Sequence, residues 1–185
     1  MAVHGKKRGN KREERESNMT QMELAVRHEK AERMRNEDIE ATLADADNGW
    51  TVIEAEDFSE RAESFFSYRV SYLTRAAKES GKWYKWEIIE STEDQPATFR
   101  IVNIRVLARE YQIAAAKGQK VIIPAPGPTG AEGKDKINFK LWLELVRCLL
   151  DFCKADDSQD YGWNKWFDAK RLELGRRVYA RRAAA

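Results

Sequence analysis

The chain has 185 residues, a length that suits one domain with tails or two small domains, and 35% of them are charged, against about 25% in an average globular protein. The net charge of +2 hides a polarised layout, with +3 over residues 1–18, +5 over residues 170–185 and −6 over the remainder. Two cysteines are too few for a disulfide-stapled secreted scaffold, and every long apolar run is broken by charges, which excludes a membrane-spanning helix.

Residues 1–18 have almost no apolar content and are predicted to form a disordered basic arm. The charged start is followed by no apolar run of the kind a signal peptide carries. The expected location is therefore the cytoplasm or a packaged particle. Thr20 and Glu23 fit a capping box, and a helix is predicted over residues 19–46. Glu23–Arg27, Glu29–Arg33 and Arg33–Glu37 support it as i,i+4 pairs. Its apolar residues share no face, so it should be solvated or partner-bound. Asp47-Asn48-Gly49 is a turn, and a core is predicted over residues 47–182, with 183–185 as a tail.

Residues 50–55 read as a short strand. Asp57, with Glu60 three residues on, should open a helix that Gly81 closes. Phe58, Ala62, Phe65, Phe66, Val70, Tyr72, Leu73 and Ala76 are assigned to its apolar side, with Arg69 near the middle. An arginine there either contacts an anion in a pocket or, with more weight, forms a salt bridge or snorkels to water. Residues 82–90 and 99–106 read as strands rich in aromatic and β-branched residues. A helix follows over residues 107–117 with Gly118 as its stop, although Thr98 could instead cap one helix running to Lys117. Residues 121–123 are a third candidate strand.

Residues 124–136 hold three of the four prolines and are predicted to be an exposed loop. Gly133-Lys134 resembles the end of a phosphate-binding loop. Pro128 stands where that motif needs glycine, and Asp135 where it needs Ser or Thr, so nucleotide binding is not expected. Residues 137–154 form the organising helix. Lys140, Glu144, Arg147, Asp151 and Lys154 share one stripe, while apolar residues cover an arc of roughly 220°, so the helix should be enclosed on most sides. Cys148 and Cys153 lie on that arc as buried thiols. The last helix is predicted over residues 163–182. Trp163, Trp166 and Phe167 lead into Lys170, Arg177 and Arg181 on one side, a combination able to stack on bases and hold phosphates. Lys82-Trp83-Tyr84-Lys85-Trp86 interleaves the same residue types. The plainer reading is that the tryptophans cover the organising helix and the arginines suit a helix C-terminus.

No catalytic constellation is legible. His4 and His28 lie in the charged N-terminal part, the cysteines lack metal-ligand spacing, and Glu54, Glu56 and Asp57 read as a helix-start cluster. The expected fold is α+β and mainly helical, with a short antiparallel sheet of two or three strands against the organising helix. The expected function is non-catalytic and without a cofactor: sequence-independent nucleic-acid binding by the basic termini. Lys6, Lys7, Arg8, Lys11, Arg12, Lys170, Arg176, Arg177, Arg181 and Arg182 are the phosphate-binding candidates, and Trp83, Trp86, Trp163 and Trp166 the stacking candidates. The alternative is a structural protein of a virion or large complex, with a homo-oligomer as one candidate assembly, whose charged N-terminal helix docks on a partner.

Overall fold

The computed structural model describes residues 21–127, 136–155 and 160–183. The chain divides into two units, Met1–Ala41 and Thr42–Ala185. Helix α1 (Gln21–Ala46) carries across this boundary. Thr20, the predicted cap, lies outside the described residues. Within the first unit α1 is exposed almost throughout, Met22, Val26 and Met34 included. Its surface pairs include Arg33–Glu37 at 3.7 Å and Arg35–Glu32 at 3.4 Å. The chain turns where Asp47-Asn48-Gly49 predicts. The backbone N–H of Asp47 donates to Leu43 O at 3.0 Å and that of Gly49 to Asp45 O at 3.1 Å.

The second unit is built on an antiparallel sheet of β1 (Thr51–Glu54), β2 (Tyr84–Ile89) and β3 (Thr98–Asn103), in the order β1-β3-β2. Side chains alternate across a strand, and the pairing register sorts them. Ile53, Phe99, Ile101, Trp86 and Tyr84 share one face; Lys85, Glu87, Arg100 and Val102 share the other. Helix α2 (Glu60–Glu79) belongs to the first face, where Lys78 lies over the Trp86 ring at 5.7 Å. Its buried stripe is Phe66, Val70, Leu73 and Ala77, at i, i+4, i+7 and i+11. The cap is Ser59 rather than Asp57. Ser59 Oγ accepts from Ala62 N at 3.2 Å, and Asp57 braces the cap by accepting from Ser59 N at 2.7 Å. Gly81 follows the helix with φ of 71°, a left-handed conformation that glycine adopts without strain.

β3 ends earlier than its apolar run suggests. Asn103 accepts from Arg105 N at 2.9 Å and caps α3 (Ile104–Ala116) directly. Residues 104–106 are therefore helical and not part of the predicted strand over 99–106. Ile104, Leu107 and Ala108 recur at i, i+3 and i+4, which buries them on one helix face. Residues 121–123 form no strand either. Instead β4 (Ala125–Gly127) and β5 (Lys136–Asn138) pair in parallel, so both ends of the predicted loop are structured. Ile137, at 1% exposure, sinks into the core and draws that pairing with it.

Asn138 accepts from Leu141 N at 2.9 Å at the start of α4 (Phe139–Ala155), the organising helix. Leu141, Trp142, Leu145, Val146, Cys148 and Leu149 are buried together with Val102, Ile104, Leu107, Ala108, Ile137 and Trp163. Phe139 and Leu143 are exposed, so the enclosing sheath is narrower than the apolar arc. Helix α5 (Trp163–Ala183) closes this core. Buried Gln112 ties three helices: Trp163 Nε1 donates to its Oε1 at 2.6 Å, and its Nε2 donates to Cys153 Sγ at 3.2 Å. Among the described residues there are five helices around the short sheet.

Asp47 joins the turn after α1 to the sheet. It accepts from Lys82 Nζ at 2.5 Å, Tyr84 Oη at 2.8 Å and Asn103 Nδ2 at 2.7 Å. Burial raises its carboxyl pKa, but these three hydrogen bonds overcome that and hold it below the usual carboxylate range. Burial and the Asp47 charge push the Tyr84 phenol well above its ordinary value. Asp47→Ala leaves the Tyr84 and Asn103 donors without their acceptor, and it is expected to destabilise the fold by about 1–3 kcal/mol in urea unfolding.

Candidate nucleic-acid interface

Helix α5 changes character along its length. Asp160 opens it, accepting from Asn164 N at 3.0 Å. Trp163 is buried, and Trp166 and Phe167 place their rings 5.8 Å from Trp142. Leu174 packs against the core, and Arg176 and Arg177 just beyond it are exposed. Seven Lys/Arg against two acids give α5 a net charge of +5. Part of that charge is paired within the helix. Lys170 Nζ lies 2.7 Å from Glu173, whose other carboxylate oxygen accepts from Arg177, and Arg171 lies 3.8 Å from Asp168. Lys170 and Arg177 hold the Glu173 carboxyl below its usual range.

Of the basic candidates, Arg176 is exposed and Lys170 and Arg177 share one acid. Arg181 and Arg182 continue the helix, and their side chains lie outside the description. Lys6, Lys7, Arg8, Lys11 and Arg12 lie outside the described residues, as does His4; His28 is exposed on α1.

The aromatic candidates divide. Trp163 is not a stacking surface: it is 7% exposed and its N–H is bonded to Gln112. Trp166 packs on Trp142 and serves as anchor. Trp86 is half-buried beside Lys78, while Trp83 is exposed. The cationic–aromatic interleaving of residues 82–86 does not persist in the fold. Lys85 turns to the opposite sheet face from Trp86 and is buried, with Nζ 2.9 Å from Glu87 Oε1. Arg100 donates to the other Glu87 oxygen through Nε at 2.5 Å and stacks on Trp50 at 4.5 Å. Burial raises the Glu87 pKa, but the hydrogen bonds and charges of Lys85 and Arg100 bring it below the usual range. Nearby, burial and the charges of Glu110 and Glu87 push Tyr111 up to about 12. Arg69 is exposed, because the buried stripe of α2 runs through Phe66, Val70 and Leu73 instead.

The outer side of α2 carries residues that sequence reasoning assigned to the core or passed over. Phe65 and Tyr68 are exposed, as is Phe58 just before the helix cap. Arg61 lies over the Phe65 ring at 5.7 Å, Tyr68 and Tyr72 have ring centroids 6.0 Å apart, and Arg75 lies over Tyr72 at 4.8 Å. Positions 61, 65, 68, 72 and 75 repeat at helical spacing, parallel to the buried stripe. That doubled periodicity was the available signal. A smaller group joins Arg105 and Arg109 of α3 to Phe152 of α4 at 5.2 and 5.3 Å.

Among the described residues no group of three or more His, Cys, Asp or Glu could hold a metal ion, and no helix is long and apolar enough to cross a membrane. No protein-family model, curated protein or solved structure matches the chain.

Proposed function

We propose that the protein binds nucleic acid without catalysis, through sequence-independent binding of phosphates by its basic termini. The carrying observation is α5, fixed to the core by Trp163, Trp166 and Phe167 and exposing Arg176 and Arg177 beyond Leu174. A rigid helix places those guanidiniums in register, and neutralising phosphates in this way releases counterions. Titration of labelled RNA and DNA against salt tests the reading. Affinity should fall linearly on logarithmic axes, and truncation of residues 176–185 should lower the slope by about 0.7–0.9 for each phosphate that is no longer neutralised. If truncating residues 1–18 and 176–185 together leaves both affinity and slope unchanged, the reading is wrong.

A second reading rests on α1. A charged helix exposing Met22, Val26 and Met34 suits an assembly protein that orders this segment against a partner. Growth of the scattering mass with concentration, in protein free of nucleic acid, would favour it.

A further inference from the structure

We infer that the outer stripe of α2 is a stacking platform for unpaired bases, so that the preferred ligand is single-stranded nucleic acid. This deepens the proposed function and rests on it. The stripe runs from Arg61 through Phe65, Tyr68 and Tyr72 to Arg75, about 21 Å along the helix axis. Phe65 is 64% and Tyr68 65% exposed, far more than large rings need for packing their own helix. Serines at 64, 67 and 71 border the stripe on one side, where they add little bulk beside the rings.

The charge around the rings fits a polyanion. No acid occurs from Ser64 to Lys78, a span holding Arg69, Arg75 and Lys78; the acids Glu60, Glu63 and Glu79 stand at the ends. Guanidiniums over rings place a cation where the phosphate next to a stacked base would arrive. A duplex hides its base faces and gains nothing from such rings, whereas single strands offer a face at every nucleotide. Docking of a second protein helix is the competing use. It would favour aliphatic residues along the seam, and this stripe has arginines at both ends and rings between.

The test measures the full chain with a fluorescent twelve-nucleotide oligouridylate and with a duplex of equal length, at several salt concentrations. The wild type should bind the single strand more tightly than the duplex. The triple variant F65A/Y68A/Y72A should lose about ten-fold or more for the single strand, in line with the effect of removing base–aromatic stacks. Its duplex affinity and salt slope should stay unchanged, since α5 is intact. Tyr68→Phe should keep binding, because the ring and not the hydroxyl is required. An unaltered melting temperature shows that the triple variant folds; if it does not, the single variants Phe65→Ala and Tyr68→Ala give the same readout. Equal single-strand affinity in wild type and variants overturns the platform while leaving the phosphate reading standing. Loss of self-association in the variants, with binding unaffected, assigns the stripe to a second copy and also overturns it. A wild type that binds neither probe removes both readings together.

Discussion

Glu87→Ala is expected to destabilise the protein by about 3–5 kcal/mol, because it strips the acid from between two cations and leaves Lys85 charged in the interior. Lys85 and Glu87 are 6% and 8% exposed, and they share a sheet face with Arg100. Equilibrium urea unfolding reads the loss. The double variant K85M/E87L should be less destabilised than Glu87→Ala, since it removes the stranded charge along with its partner. The same triad contributes to the acid limb of stability. A carboxyl whose folded pKa is lowered contributes stability that is fully present above its unfolded value and lost as pH falls through the folded one. Glu87 and Asp47 are both lowered, from ordinary values of 4.5 and 3.8. Stability owed to them should be intact at neutral pH and should fall away progressively below an onset near those values. K85M/E87L should show a shallower acid limb. An acid limb as steep in that variant as in the wild type would mean that Glu87 is not its source.

Leu145→Ala is expected to cost about 2–5 kcal/mol, the range for a buried leucine whose site cannot collapse. Leu145 is fully buried on α4, in the core it shares with residues of α3 and α5. The control is Leu143→Ala, two residues away and 40% exposed, with an expected change of about 1 kcal/mol or less because little apolar area is removed from the interior. Denaturant midpoints for the pair should separate at an unchanged m-value, which marks a stability effect and not a change in the denatured state. If both leucines cost the same, α4 is not the enclosed helix of this fold.

Much of the architecture was legible because it is local. The Leu- and Trp-rich run of α4, the Asp47-Asn48-Gly49 turn and the glycine after α2 declare themselves within a few residues. What was illegible depended on distant partners. Phe65 and Phe66 are neighbours of the same type, and only the position of the sheet decides which one is buried. Asn103 ends a strand and caps a helix with no loop between, so the apolar residues around it satisfy both periods at once. Lys85 looked like a surface cation beside tryptophans, and only its register opposite Val102, next to Glu87 and Arg100, turns it inward. On the candidate surface, the exposure of Arg176 was expected from its place in the basic run at the end of the last helix. The outer ring ladder of α2 was hidden because its aromatics look the same in sequence as those of the buried stripe.

The anchoring of α5 has a mechanical consequence. The helix is clamped at its Trp163 end and carries the exposed Arg176 and Arg177 beyond the core contact at Leu174, so it behaves as a cantilever. Any load applied to the cationic tip is delivered as torque to Trp166 and Phe167, and through them to the indole of Trp142. A load at Arg176 or Arg177 would thereby reach the buried ring of Trp142, where tryptophan emission would register it with no label on the chain.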